Sequence, residues 1–174
     1  RYKINDYEVG FYAAQFHDKM PQFYVRPGIN VQEGGIGDYA QVFAEDIKVY
    51  GLSVSTLVGE TNVAAEMSVR QDMSLVATGN TVILPGNTTA DGGDNSAFPR
   101  GDTFHFNASM ITILNENSLW DAATFIGEFA FNRRLNISAN ADQLDPLATK
   151  DASDDVPMSA SCLCLVRFPD ALDL

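Results

Sequence analysis

The chain is poor in several residues and patterns, and each absence narrows its function. It has only 11 lysines and arginines against 23 aspartates and glutamates, and its formal net charge is -12. Nucleic acid is therefore not expected as a partner, because its binding depends on clustered basic side chains that neutralise phosphates. A run of about 18 apolar residues is also missing, which excludes a membrane-spanning helix. It does not exclude a membrane-spanning β-strand, which needs only about 9 to 11 residues.

Metal, redox and catalytic signals are scarce as well. The two cysteines, Cys162 and Cys164, lie one residue apart on a predicted strand, where both side chains point to the same face. Neighbours at this spacing rarely form a disulfide, so we interpret them as small apolar residues. The common hydrolase, protease and nucleotide-binding motifs are missing. We predict that the protein is not an enzyme and carries no cofactor.

The connections that the sequence does contain alternate between long and short. Three long polar loops are predicted at about Asp18–Glu45, Asp72–Gly101 and Leu135–Asp155, and two tight turns at residues 59–62 and 115–118. An up-and-down transmembrane β-barrel shows this alternation, because one rim only reverses the chain while the other carries the variable surface.

The segments between these connections alternate in side-chain character with period two, which is typical of strands. Six strands are predicted, at Tyr7–Phe16 and at about Ile47–Val58, Val63–Arg70, Asp102–Leu114, Ala123–Arg134 and Ser159–Phe168. Gln22 to Arg26 is a candidate for one more short strand. Ser118 to Phe131 is the one segment with a partial helical stripe, and we keep it as a strand because β-branched and aromatic residues dominate.

Charged and polar side chains fall on the strand faces opposite the aromatic ones, as expected if one face meets lipid and the other a wet lumen. The lumen-facing candidates are Glu66, Arg70, His105, Glu128 and Arg134. Such charges either polarise a pore or satisfy one another across adjacent strands, and we favour the second, structural role. For His105 we favour a hydrogen bond to a neighbouring strand.

These observations predict an all-β fold, an antiparallel up-and-down transmembrane β-barrel. Residues 1–174 are expected to form a single barrel region of about six strands and three long loops, without a separate second domain. Bacterial single-chain barrels begin at about eight strands, and unpaired backbone groups at an open edge cost several kcal/mol each in lipid. The chain is therefore expected to be a fragment of a larger barrel.

Acidic residues of the last long loop are the weak candidates for a metal site. Carboxylate oxygens suit Ca²⁺, or divalent cations that bridge lipopolysaccharide, and the candidates are Asp142, Asp145 and Asp151. Their spacing lacks the pattern and the glycine of an EF-hand. A solvated loop is the favoured interpretation, and no metal is predicted.

Several segments of the sequence resemble a known family of large Gram-negative outer-membrane proteins, catalogued as domain of unknown function 1302. The segments that carry the resemblance are Glu45–Thr56, Ala65–Met73, Leu119–Ala123, Leu144–Ala152 and Tyr7–Pro21. The resemblance implies an outer-membrane barrel, often found beside genes for handling hydrophobic compounds. It fixes no residue role.

Together, pattern and resemblance predict a channel or export/uptake conduit for a small hydrophobic solute in the bacterial outer membrane. The expected partners are outer-membrane lipid, lipopolysaccharide and the solute, and assembly with other envelope proteins is compatible with this. Two alternatives stay open. One is a structural or adhesive surface barrel that binds a partner through its long loops, and the other is a soluble β-sandwich binding module.

Overall fold

The protein is built almost entirely from β-strands. In this computed structural model, residues 2–4, 6–28, 34–77, 81–86, 88–116, 122–145 and 158–167 are described, the last range by its backbone alone. These residues form a short 3-10 helix, Ala141–Gln143, and ten strands: β1 (Tyr2–Ile4), β2 (Tyr7–Phe16), β3 (Pro21–Pro27), β4 (Gly37–Phe43), β5 (Ile47–Val58), β6 (Thr61–Ser74), β7 (Thr81–Ile83), β8 (Arg100–Leu114), β9 (Ala122–Ala139) and β10 (Met158–Arg167).

Seven of the strands form one antiparallel sheet in the order β1-β2-β5-β6-β8-β9-β10. The connections that follow β2, β6 and β9 are long and share one end of the sheet, which we call the long-loop end. At the other end β5 turns into β6 at Gly59, whose φ of +62° suits a residue without a Cβ. The short turn at residues 59–62 is therefore confirmed, while residues 117–118 of the second predicted turn and 146–155 of the third predicted loop lie outside the described residues. The described sheet is open, with β1 and β10 at its edges.

The predicted strands match the observed ones closely, but their number was wrong. β2 and β5 have the predicted bounds, and from Ala122 onward the segment with the partial helical stripe is strand. The prediction missed β1, β4 and β7, and β3 was only a candidate. Proline and glycine marked the first long connection as irregular, whereas Pro21, Pro27 and Gly37 in fact lie at the ends of the short strands β3 and β4.

The large sheet has two chemically different faces, as its registers show. The apolar face includes a row of residues directly opposite one another on five strands: Phe11, Leu52, Met67, Phe106 and Phe131. The matching row of the polar face is Tyr12, Gly51, Ser68, His105 and Asn132. In the described residues the strands of this sheet contact mainly their hydrogen-bonded neighbours. Phe11 is 71% exposed and Met67 43% exposed on the apolar face.

The long connections do not remain irregular but form a second sheet, in the order β4-β3-β7. β3 is antiparallel to β4 and parallel to β7, so two connections distant in sequence meet in one structure. We call this part, the described residues of 18–45 and 75–99, the loop lobe. Most of the buried core cluster lies here: Tyr24, Ala44, Ala77, Val82, Leu84 and Phe98. Ile47, the first residue of β5, completes the cluster from the large sheet.

Tyr24 holds the lobe together through its hydroxyl group. It is 2% exposed, its ring packs on Phe98, and its hydroxyl donates to the Asp91 carbonyl at 2.8 Å and accepts from the Ala97 N–H at 2.8 Å. Burial is the main cause that raises the pKa of Tyr24 above its usual 10.0. The same hydroxyl thus joins β3 to the segment that precedes β8.

Replacing Tyr24 with phenylalanine should lower the free energy of unfolding of the lobe by about 1 to 3 kcal/mol, because two buried backbone groups lose their partner. In the parent protein the unfolded tyrosine ionises near pH 10 while the folded one stays neutral, so stability is complete below pH 10 and falls as pH rises toward the raised folded-state pKa. Thermal unfolding between pH 8 and 11 measures both effects. In the variant, the loss of stability above pH 10 that Tyr24 causes should be absent. An identical loss of stability in both proteins would contradict the role given to the Tyr24 hydroxyl.

Candidate functional site

All five predicted lumen-facing residues lie on the polar face of the large sheet. Arg70, Thr103 and Arg134 are opposite one another in the row nearest the long-loop end. His105 belongs to the next row, Glu66 to the one after that, and Glu128 to the fourth. The structure therefore places these five residues on one surface, spread over four successive rows.

Neutral side chains, not opposite charges, hold the glutamates. The Tyr12 hydroxyl donates to Glu66 Oε1 at 2.5 Å, and Asn107 Nδ2 donates to Glu128 Oε1 at 2.9 Å. We predicted that the inward charges pair with one another, namely Glu66, Arg70, Glu128 and Arg134. This was wrong, because the ion pair found among the described residues is instead Arg26–Asp38, in the lobe. The reason is the register, which puts Asn107 rather than an arginine opposite Glu66.

His105 does bond to the neighbouring strand, as predicted. Its Nδ1 lies 2.6 Å from Asn132 Oδ1 on β9, and its Nε2 lies 2.9 Å from the Thr103 hydroxyl. Both ring nitrogens are thus engaged. His105 acts as a cross-strand connector in the row below the arginines.

Tyr12 and Gly51 are parts of this surface that the sequence analysis did not single out. They are opposite each other on β2 and β5, and a Cβ on Gly51 would lie 1.9 Å from Tyr12 Cζ. The absence of a side chain at Gly51 lets the tyrosine ring lie flat across β5 and reach Glu66 on β6. Only the strand register reveals this pair, because the two residues are 39 positions apart.

A cavity of about 570 Å³ opens on the polar face toward the short-turn end. Its lining comes from five adjacent strands, which requires that the sheet curve toward this side. Three carboxylates line it, those of Glu8, Glu66 and Glu128, together with Ser53, Ser55, Asn107 and Ser109. The cavity is therefore polar and acidic.

The loop lobe lies over the polar side of the large sheet. Ile47 shares the polar face with Val49 and is part of the lobe core. β6 has an extra residue between Arg70 and Met73, a β-bulge that turns Met73 to the same side. Met73 packs against the lobe core, and its sulfur accepts from the Thr103 hydroxyl at 3.4 Å. The core of the lobe thus reaches the row next to the one that contains Arg70 and Arg134.

Arg100 fastens the lobe to the large sheet. It is 6% exposed, and its guanidinium donates to the carbonyls of Glu45, Asp72 and Gly93 at 2.6 to 3.1 Å. Asn140 adds a second attachment, since its Nδ2 donates to the Ser96 and Phe98 carbonyls. A second cavity, of about 430 Å³, lies at this junction.

The acidic loop residues do not come together as a metal site. Asp142 lies in the 3-10 helix and accepts from Gln143, Asp145 donates through its backbone to Val76, and Asp151 is outside the described residues. In the described part of the chain, no group of three or more His, Cys, Asp or Glu residues is placed to hold a metal ion. Nor is any described helix long and apolar enough to cross a membrane.

Fold and surface define the class as an all-β protein with a two-faced antiparallel sheet and a lobe of folded loops. The chain belongs to the family described as protein of unknown function (DUF1302), whose model matches residues 1–162. This confirms the resemblance drawn from the sequence. No curated protein and no solved structure matches the chain.

Proposed function

We propose that this chain forms part of an outer-membrane β-barrel that acts as a conduit for a small hydrophobic solute. The observation that carries the proposal is the pair of opposite faces on one sheet. Large apolar side chains are exposed on one side, such as Phe11, Tyr50 and Met67, while a polar cavity opens on the other. A strand wall between acyl chains and a watery lumen needs this distribution.

The dimensions of the apolar face support a membrane wall. From Phe104 to Thr112 the apolar face of β8 spans nine residues, and the eight steps between them at about 3.4 Å each give about 27 Å along the strand. Strands tilted by about 40° would give a band of about 21 Å, close to the apolar band of about 25 Å in outer-membrane barrels. Toward the long-loop end the band is bounded by Arg133, which pairs with Phe104, and by Lys48, which pairs with Gln71.

Closure of the barrel requires strands beyond the seven of the large sheet. Bacterial single-chain barrels begin at about eight strands, and open edges in lipid leave backbone groups unpaired. β1 and β10 are the two edges at which further strands would join. The hydrophobic nature of the solute rests on family context alone.

Cell fractionation and planar-bilayer recording of the full-length protein test the proposal. We expect recovery with outer membranes and discrete current steps after insertion. Recovery in the soluble fraction would contradict the location and favour a β-sandwich binding module. Membrane recovery without current would contradict the conduit and leave the adhesive barrel.

The adhesive alternative has one observation in its favour. Tyr39, Val25 and Ile83 lie opposite one another on the side of the small sheet that faces away from the lobe core. Tyr39 is 74% and Ile83 70% exposed, so the lobe presents apolar side chains outward. Removal of the lobe should abolish binding of a partner while leaving the wall of the barrel in place.

A further inference from the structure

Arg70 and Arg134 form a pair of cations on the polar face, in the row next to Met73. Both are opposite Thr103, on the strands at either side of it, so their backbones are about 10 Å apart at the usual strand spacing. Two long guanidinium side chains at this separation are able to converge on one small group between them. Thr103 donates to the sulfur of Met73, which packs against the core of the lobe, so the pair borders on the lobe.

One donor of this pair has no partner among the described residues. Arg70 Nε is buried and has no hydrogen-bond partner, which is uncommon for a buried donor in a folded protein. Neither arginine forms an ion pair with a carboxylate of the described residues, where the ion pair found is Arg26–Asp38. A guanidinium fork matches a carboxylate in shape and charge, and its hydrogen bonds to such a group are the strong, charge-assisted kind.

The nearby glutamates limit which anion fits. Glu66 lies four residues from Arg70 along β6, about 13 Å along the backbone, and its carboxylate is engaged by the Tyr12 hydroxyl. The two guanidinium groups of Arg70 and Arg134 outnumber this one carboxylate, so the local charge favours an anion. A singly charged anion therefore gains from the arginines, whereas a dianion meets more repulsion from Glu8, Glu66 and Glu128 in the adjoining cavity.

We propose that Arg70 and Arg134 form a binding site for the carboxylate of a small organic acid. The body of the acid would extend toward the cavity of about 570 Å³ on the same face, whose lining begins at Glu66 and Asn107, two rows from the arginines. This inference deepens the conduit proposal and rests on it for its biological meaning, because it names the class of solute that the polar face admits. The binding itself is measured without any transport.

Calorimetric titration of the full-length protein in detergent with benzoate tests the site, with benzamide as the uncharged ligand. Arg70→Gln and Arg134→Gln should each weaken benzoate binding about tenfold or more, as expected for a lost charge-assisted bond. Arg133→Gln is the matched control, since Arg133 is the next residue on the opposite, apolar face. It should leave the affinity unchanged, and benzamide should bind more weakly than benzoate.

Circular dichroism and heat stability show whether each variant is folded, and two independent variants protect the test against the misfolding of one. The site is overturned if benzoate does not bind the parent protein, if benzamide binds as well, or if Arg133→Gln weakens binding as much as the other two. Benzoate binding without any bilayer current would retain the site and reject the conduit. Current without benzoate binding would retain the conduit and reject the site.

Discussion

Replacing Arg100 with methionine should release the loop lobe from the large sheet and lower its free energy of unfolding by about 3 to 5 kcal/mol. Methionine keeps the apolar stem but removes every hydrogen bond of the guanidinium. The carbonyls of Glu45, Asp72 and Gly93 would then be left without this donor in a buried place. Three chain segments depend on this one side chain, which is why the expected effect is large.

Hydrogen exchange and limited proteolysis of residues 18–28 and 81–99 measure the release. Arg26→Met is the matched control, because Arg26 also belongs to the region but pairs with Asp38 at side-chain exposures of 30% and 31%. A partly exposed ion pair contributes about 0 to 1 kcal/mol, so protection in the lobe should hardly change. Equal loss of protection in both variants would show that Arg100 does not fasten the lobe.

If the apolar face meets lipid as proposed, replacing Ala65 with arginine should destabilise the inserted protein by about 2 to 4 kcal/mol, the cost of a cation near the middle of a lipid-facing wall. Ala65 lies in a row with Val54 and Ala108, halfway along the apolar face. Ala64, the preceding residue, lies on the polar face, in a row with Glu8, Ser55, Ser109 and Glu128. Ala64→Arg should therefore cost below about 1 kcal/mol, as exposed charge pairs contribute little either way.

Reversible folding of the full-length protein into lipid vesicles, followed over a urea series, measures both free energies. The difference between two adjacent alanines is the informative quantity, because size and charge of the new side chain are the same. Similar effects at both positions would contradict a wall with lipid on one side. A larger effect at Ala64 would show that the apolar face does not meet lipid.

The strands of the large sheet were predictable because their signal is local. Alternation along Tyr7–Phe16 and Ile47–Val58 is visible in the chain itself, and it gave the same bounds as the structure. The small sheet was not predictable in the same way. β7 has only three residues, Thr81–Ile83, and becomes a strand by pairing with β3, which is more than 50 residues away. No local pattern carries such a pairing.

The candidate site was predictable only as far as side-chain direction goes. Period two was enough to place Glu66, Arg70 and His105 on one face. Which residues touch depends on register, and a register places residues from strands far apart in sequence side by side. The expected mutual ion pairs failed for this reason, and the contacts of Glu66 with Tyr12 and of Glu128 with Asn107 were not foreseen.

The bulge in β6 has a consequence for how the chain tolerates insertions and deletions. Up to Arg70 every residue of β6 keeps its side, so adding or removing one residue there would exchange the two faces for the rest of the strand. Between Arg70 and Met73 the bulge already adds one residue, so the side chains after it point to the opposite side from the one their spacing predicts. Asp72, within the bulge, has a left-handed backbone with a φ of 56°. A single additional residue thus takes β6 from the two-faced part of the large sheet to contact with the buried core of the loop lobe. Length variation among relatives should accordingly be found after this point and not before it.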